Sequence, residues 1–196
     1  MTTDLDVRVE PATAADAAAL AALHGAILSR SRLSLFGQGY LTSCYRYFIG
    51  SRDELVLAAR SGSSVVGGAF VSLAPRSLSR RLVVHTSLLR QIALRPIGRG
   101  ARQIIADLLQ LAPPSPDLPE LVAIFVASDH QGHGIGEMIC RAVESELRQR
   151  RVKSYVVHTD RDPANHAIAF YQRLGFLPAE PSGAGYRLML LSKTLS

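Results

Sequence analysis

Apolar positions along this chain follow two rhythms. Residues 6–10 alternate polar and apolar and stop at Pro11, which predicts a short first strand. Thr13-x-x-Asp16 has the spacing of a helix-capping pair, and the alanine-rich run behind it carries Leu20, Leu23 and Ile27 on one stripe, with His24 beside them. Gly37-x-Gly39 breaks that run. A second helix is expected over 40–49, with Tyr40, Cys44, Tyr45, Tyr47 and Phe48 along it. Strand patterning resumes at 55–59, turns at 62–64 and continues over 65–73. This is a hairpin in which Gly67-Gly68 signals a bulge or a close backbone approach.

The strongest pattern lies at 121–176. Seven apolar residues, 121–127, have the length of a buried strand. Gly132, Gly134 and Gly136 follow, set two apart. An amphipathic helix comes next, with Ile139, Val143 and Leu147 repeating every four residues while Arg141, Glu144, Arg148 and Arg151 point elsewhere. A strand over 154–159 leads to Asp162-Pro163, an N-cap with proline at the first helical position, and Gly175 is the matching stop. A last alternating strand is expected over 186–191. Strand, glycine loop, helix and strand make a βαβ unit, whose loop leaves backbone N–H groups free to face a phosphate at the helix N-terminus. The glycines alone would also suit a tight turn. They lack the G-x-G-x-x-G spacing of a dinucleotide fold, Asp160 lies in the loop after the next strand rather than at its tip, and no Gly-Lys-Ser/Thr occurs.

Between the hairpin and this unit, residues 74–119 form a long basic insert. It holds Arg76, Arg80, Arg81, Arg90, Arg95, Arg99 and Arg102, and no acidic residue occurs between Glu54 and Asp107. Leu82-Val83-Val84 and Leu88-Leu89 suggest a helix, Pro96 interrupts it, 104–111 suggests another, and Pro113-Pro114-x-Pro116 closes the segment. The insert reads either as a solvated helical flap or as a lid favouring an anionic substrate.

Composition narrows the class. At 196 residues with 47% hydrophobic content and no repeats, the chain is expected to be one domain, 1–196. No apolar run reaches membrane-spanning length and the first residues lack a signal-peptide core, so a cytoplasmic protein without membrane contact is expected. Cys44 and Cys140 read as small core residues, not as a disulfide or a metal site. The net charge of +6 invites a nucleic-acid reading, but a phosphate-rich small molecule explains it equally. The basic segment also lacks the aromatic interleaving of single-strand binders.

Gln131-x-x-Gly134-x-Gly136, five residues beyond Val126, together with Asn165-x-x-x-Ala169-Phe170-Tyr171-x-x-x-Gly175-Phe176, resembles the GNAT superfamily of acyl-CoA-dependent N-acyltransferases. The resemblance is close over about 55 residues and holds only in outline elsewhere. It implies an α/β fold with a mixed central sheet flanked by helices, the basic helical insert preceding the CoA-binding strand. It also implies acetyl-CoA as cosubstrate and no metal. The stretch from Phe36 to Leu82 is similar to GNAT proteins encoded with sugar-biosynthesis enzymes.

By the same resemblance, N–H groups of Gln131, Gly132, His133, Gly134, Ile135 and Gly136 would hold the pyrophosphate. The main chain of Phe125 and Val126 would pair with the pantetheine arm, where the family's strand splays from its neighbour at 124–126. Asn165 would hydrogen-bond that arm or a bridging water, though its type and place also suit a helix start. Tyr171 would lie near the CoA sulfur and protonate the thiolate, with packing as its other reading, and Phe170 reads as core. Tyr40 and Tyr45 fall where family helices wall the acceptor pocket, or they are core. Some family members place a catalytic glutamate where Glu120 stands. Glu120 is thus the candidate base, an exposed loop carboxylate is its other reading, and His158 and His85 remain alternatives. Asp160 and Asp162 are explained as turn and cap residues. Together these point to acetyl transfer onto the primary amine of a small molecule, a nucleotide-linked amino sugar being one candidate, with a homodimer compatible. A protein N-terminus or lysine as acceptor, and a non-catalytic acyl-CoA-binding module, are the rival readings.

Overall fold

The computed structural model describes residues 6–29, 31, 33–86, 117–162, 165–180 and 188–195. Its centre is a seven-stranded sheet in the order β1-β2-β3-β4-β5-β7-β6. The strands are β1 (Val7–Pro11), β2 (Glu54–Ser61), β3 (Ser64–Ser72), β4 (Glu120–Val126), β5 (Ser154–Asp160), β6 (Leu177–Pro178) and β7 (Leu188–Thr194). All neighbours are antiparallel except β4 and β5, which join through the βαβ crossover. Pro11 closes β1 without disrupting the ladder because β1 lies on the edge.

Helices cover both faces. On one side α1 (Ala17–Ile27), α2 (Gln38–Gly50) and α3 (Pro75–His85) pack over Val56, Ala58, Phe70, Ala123 and Phe125. On the other, α4 (Ile135–Gln149) and α5 (His166–Arg173) pack over Leu55, Leu57, Val71, Leu121, Tyr155 and Val157. The helical stripe of Ile139, Val143 and Leu147 is fully buried there. Alternate strand residues thus serve opposite layers, as period-two patterning requires.

Local chemistry explains most boundaries. The Asp16 carboxylate accepts from the Thr13 N–H at 2.7 Å and the Thr13 hydroxyl at 2.8 Å, and pairs with Arg60. The register slip expected at Gly67-Gly68 falls one residue earlier, at Val66, which stands opposite no residue of β2. The glycines serve close approach instead: a Cβ on Gly68 would sit 2.6 Å from Leu20 Cδ2 and 3.0 Å from the Leu57 carbonyl. Tyr40 and Tyr45 are buried core residues and do not reach the cavity described below. His24 is also core, its ring nitrogens each 2.8 Å from a hydroxyl, Tyr45 Oη and Ser31 Oγ. Cys44 and Cys140 are buried thiols whose pKa burial pushes up to about 12.

The insert opens with α3, earlier than the expected apolar cluster at 82–84, because Pro75 starts the helix. Arg81 on α3 reaches back to the fully buried carboxylate of Glu54, and also contacts Ser72 Oγ at 3.3 Å and the Ala74 carbonyl at 3.1 Å. Among the described residues, Glu54 Oε2 and Arg81 Nε have no hydrogen-bond partner. The expected helix at 104–111, the prolines at 96 and 113–116, the arginines from Arg90 to Arg102, Pro163 and Tyr186 lie outside the described residues. The last strand runs further than expected, to Thr194. Two-residue β6 carries no pattern long enough to be read from sequence.

Candidate active site

The site begins as a fault in the sheet. Phe70 pairs with Ala123 and Val71 with Leu121, so Val122 is a bulge in β4. β4 pairs with β5 only at Glu120–Val156 and Leu121–Val157. Beyond Leu121 the two strands part, two residues earlier than the splay expected at 124–126. Ala127 donates to the Val66 carbonyl at 2.8 Å, so alternation along the ladder turns the amides of Phe125 toward β3 and those of Ile124 and Val126 into the gap. This corrects the expected pair: Phe125 cannot offer its main chain to a ligand in the gap, and its ring is buried against His24 and Tyr45.

The glycine loop closes one end. Gln131 Nε2 donates to the Val126 carbonyl at 3.0 Å, tying the loop to the end of β4. Gly132 and Gly134 hold φ of 80° and 76°, the left-handed turn that points successive N–H groups the same way. The first intrahelical bond of α4 runs from the Met138 N–H to the Gly134 carbonyl at 3.0 Å. The N–H groups of Ile135, Gly136 and Glu137 therefore have no partner within the helix, and the positive end of its dipole faces the gap. The Ile135 side chain is core, and His133 is exposed outside the cavity wall, so only their amides are placed to act. A Cβ on Gly136 would meet the Phe170 ring at 3.4 Å, an ordinary van der Waals contact.

α5 forms the facing wall. Asn165 is its N-cap, accepting from the Ala167 N–H at 3.1 Å, and its Nδ2 donates to Thr159 Oγ1 at 2.9 Å and the Asp160 carbonyl at 2.8 Å. Both amide hydrogens are thus spent on protein, and Asn165 acts here as a clamp between β5 and α5. Tyr171 is 6% exposed and lines the cavity. Burial, with the Cys140 thiol nearby, raises the pKa of its hydroxyl, which is therefore protonated at neutral pH. Phe170, expected as core, is half-buried and also lines the cavity. Its position beside Tyr171 gave no sequence signal separating the two roles.

The cavity between these walls measures about 1120 Å³. It runs from the glycine loop past Tyr171 to His158, Val122 and the end of α1, where Ile27, Leu28, Ser29 and Ser31 bound it. Glu120 and His158, named separately from the sequence, are one pair. Parallel pairing sets Glu120 beside Val156, and His158, two residues on, lies on the same face, with Nδ1 2.9 Å from Glu120 Oε1. Asp160 is at the rim of the cavity and also accepts from the Asp162 N–H at 3.1 Å, as its turn reading requires. His85 stacks on Tyr47 at 4.9 Å and is not part of the cavity. Among the described residues no three His, Cys, Asp or Glu side chains gather as a metal site, and no helix is long and apolar enough to cross a membrane.

A glycine-loop helix start, a parted strand pair and a buried tyrosine share one cleft, and residues 26–176 match the acetyltransferase (GNAT) family. The chain belongs to that family. This GNAT protein is an acyl-CoA-dependent N-acetyltransferase with acetyl-CoA as its cosubstrate. Solved structures share the fold at low identity. SsHAT is 18% identical with a TM-score of 0.70, covering 97% of this chain and 98% of its own. The PaiA N-acetyltransferase from Thermoplasma acidophilum, solved with coenzyme A, is 11% identical with a TM-score of 0.58, covering 96% and 99%. The ribosomal-protein-S18-alanine N-acetyltransferase from Escherichia coli is 17% identical with a TM-score of 0.56, covering 97% and 94%. No curated protein matches the chain in sequence.

Proposed function

We propose that this GNAT enzyme acetylates the primary amine of an anionic small molecule in the cytoplasm, by direct attack on acetyl-CoA in a ternary complex. The observation that carries the reading is the continuous cavity from the glycine loop to the end of α1, which has room for a pantetheine arm and a compact acceptor together. Ile27, Leu28, Ser29 and Ser31 bound the far end of the cavity, which favours a compact acceptor over a peptide. Apart from Arg81, which pairs with Glu54, and Arg76, which pairs with Asp117, the arginines of the insert, in a stretch with no acid from 55 to 106, favour an acceptor bearing phosphate.

In this reading the amides of 131–136 hold the pyrophosphate, and exposed Arg173 at the cavity rim meets cofactor phosphate. The gap-facing groups of Ile124, with the N–H of Val126, align the pantetheine arm and one of these N–H groups faces the thioester oxygen. Phe170 packs against the arm, and Asn165 holds that wall in place. Tyr171 donates its proton to the departing thiolate. The test is an acetylation panel read by free thiol release. It includes nucleotide-linked amino sugars, uncharged amines, peptides with free N-termini and lysine peptides. Turnover confined to anionic small amines supports the proposal, and preference for a peptide overturns it in favour of a protein acceptor.

A further inference from the structure

His158 is half of a buried polar pair whose other half leaves one nitrogen unexplained. Its side chain is only 8% exposed, Glu120 is 15% exposed, and Nδ1 lies 2.9 Å from Glu120 Oε1. Nε2 is sealed from solvent and, among the described residues, has no hydrogen-bond partner. On β5 the residue pairs with Leu190 of β7, and among the described residues Glu120 is the charged group in ion-pair reach of the ring. A carboxylate can only accept, so Nδ1 carries a hydrogen, and in the neutral ring Nε2 presents a lone pair. Leaving such a nitrogen buried without a donor is destabilising, so a donor is expected to arrive there in function. His158 lines the acyl-transfer cavity, so a small turn of its ring brings Nε2 to an ammonium held there.

We infer that His158, not Glu120, takes the proton of the acceptor amine, and that Glu120 is a positioning residue that fixes its tautomer and balances its charge. The inference rests on the acetyl-transfer reading above. Nε2 accepts one proton from R–NH3+, giving the imidazolium, whose Nδ1–H stays on Glu120. The freed amine pair forms the C–N bond at the thioester carbon, giving a tetrahedral adduct whose nitrogen still bears two hydrogens. Collapse breaks the C–S bond, and the thiolate takes a proton from Tyr171. The adduct nitrogen returns one hydrogen to the tyrosinate through water, leaving the amide. The proton on His158 leaves to solvent, so one proton ends on sulfur and one in bulk.

The experiment compares His158→Asn and Glu120→Gln by thiol release across pH, using the best amine of the panel. The first substitution keeps an N–H donor for Glu120 but supplies no base. The second keeps an acceptor for the Nδ1–H but carries no charge. His158→Asn should lower kcat on the order of 10²–10⁴-fold near neutral pH and recover as free amine becomes available at high pH. Glu120→Gln should retain most activity and move the acid limb of its profile to lower pH, because the imidazolium has lost its counter-charge. Nitrogen-15 spectra of the wild-type imidazole should show a protonated Nδ1 and an unprotonated Nε2 at neutral pH. The reverse ranking, with Glu120→Gln crippled and His158→Asn mild, assigns the base to Glu120 and overturns the inference while leaving acetyl transfer intact. So does a protonated Nε2 with a bare Nδ1. Wild type that releases thiol with no amine overturns the transfer reading and the inference together. Melting curves with and without acetyl-CoA show that each variant is folded and binds the donor, and a His158 variant failing there is replaced by His158→Gln.

Discussion

Gly134 is the position where one unit of charge separates folding from cofactor binding. It sits at φ 76°, ψ 0° just before α4, and a Cβ there would meet nothing within 4 Å. Asn and Asp enter this left-handed region more readily than other side chains, at a cost of about 1 kcal/mol. Either would also cap α4 with a side-chain oxygen, returning about the same amount. Gly134→Asn and Gly134→Asp should therefore both fold and melt within a few degrees of the wild type. They differ only in charge. Opposite a phosphate at about 4 Å and an effective dielectric of about 20, an added carboxylate costs about 4 kcal/mol, on the order of a thousandfold in affinity. The assay is the melting temperature with acetyl-CoA at a hundred times the wild-type dissociation constant. Mass action then adds about 2.7 kcal/mol, roughly 5–10 °C for a chain of this size. Wild type should show the full shift, Gly134→Asn a reduced one, and Gly134→Asp none. A normal shift in the Asp variant would remove the loop from the phosphate site, and equal losses in both variants would make shape, not charge, decisive.

Tyr171→Phe keeps the ring packed against Phe170 and Phe176, so stability and the acetyl-CoA melting shift should survive. Thiol release should fall on the order of tenfold to a thousandfold, and unchanged turnover would assign Tyr171 to packing. Gly68→Ala forces a methyl into Leu20 and the Leu57 carbonyl, and urea unfolding should show a loss of about 1–3 kcal/mol. His24, neutral and hydrogen-bonded in the core, has its pKa lowered by burial from 6.5 to about 4. The unfolded chain therefore binds this proton first as pH falls, so stability is full above about 6.5 and declines toward pH 4, by about 3 kcal/mol. His24→Gln should flatten that part of the melting profile, and an unchanged slope would show that other groups set it.

The sequence carried the βαβ unit because its apolar runs change period where strand becomes helix, and the motif residues fell on the loop and helix those periods left. It could not carry the parting of β4 and β5. A bulge is one unpaired residue, and Val122 sits in an apolar run that reads the same with or without it. The same blindness put Phe125 among the cofactor contacts, because which amides face the gap depends on register. Glu120 and His158 were each visible as chemistry, but 38 positions separate them and only parallel pairing sets them side by side. Tyr40 and Tyr45 kept both readings open in the sequence, because aromatic side chains on a helix look alike whether they face a core or a pocket. Asn165 suited both of its readings by type and place; its hydrogen bonds show the clamp, and Oδ1 keeps a second lone pair for another donor.

The Glu54–Arg81 pair limits how this enzyme can drift. Removing either partner strands a charge in the interior and costs about 3–5 kcal/mol, whereas replacing both with apolar residues of similar size is often neutral. Single steps between those two solutions pass through a poorly folded protein, so the two positions are expected to change jointly or not at all. That interlock fixes the root of the insert to β2 while leaving the sequence beyond it unconstrained by the pair. Substitutions in the insert can then accumulate without the sheet having to change with them.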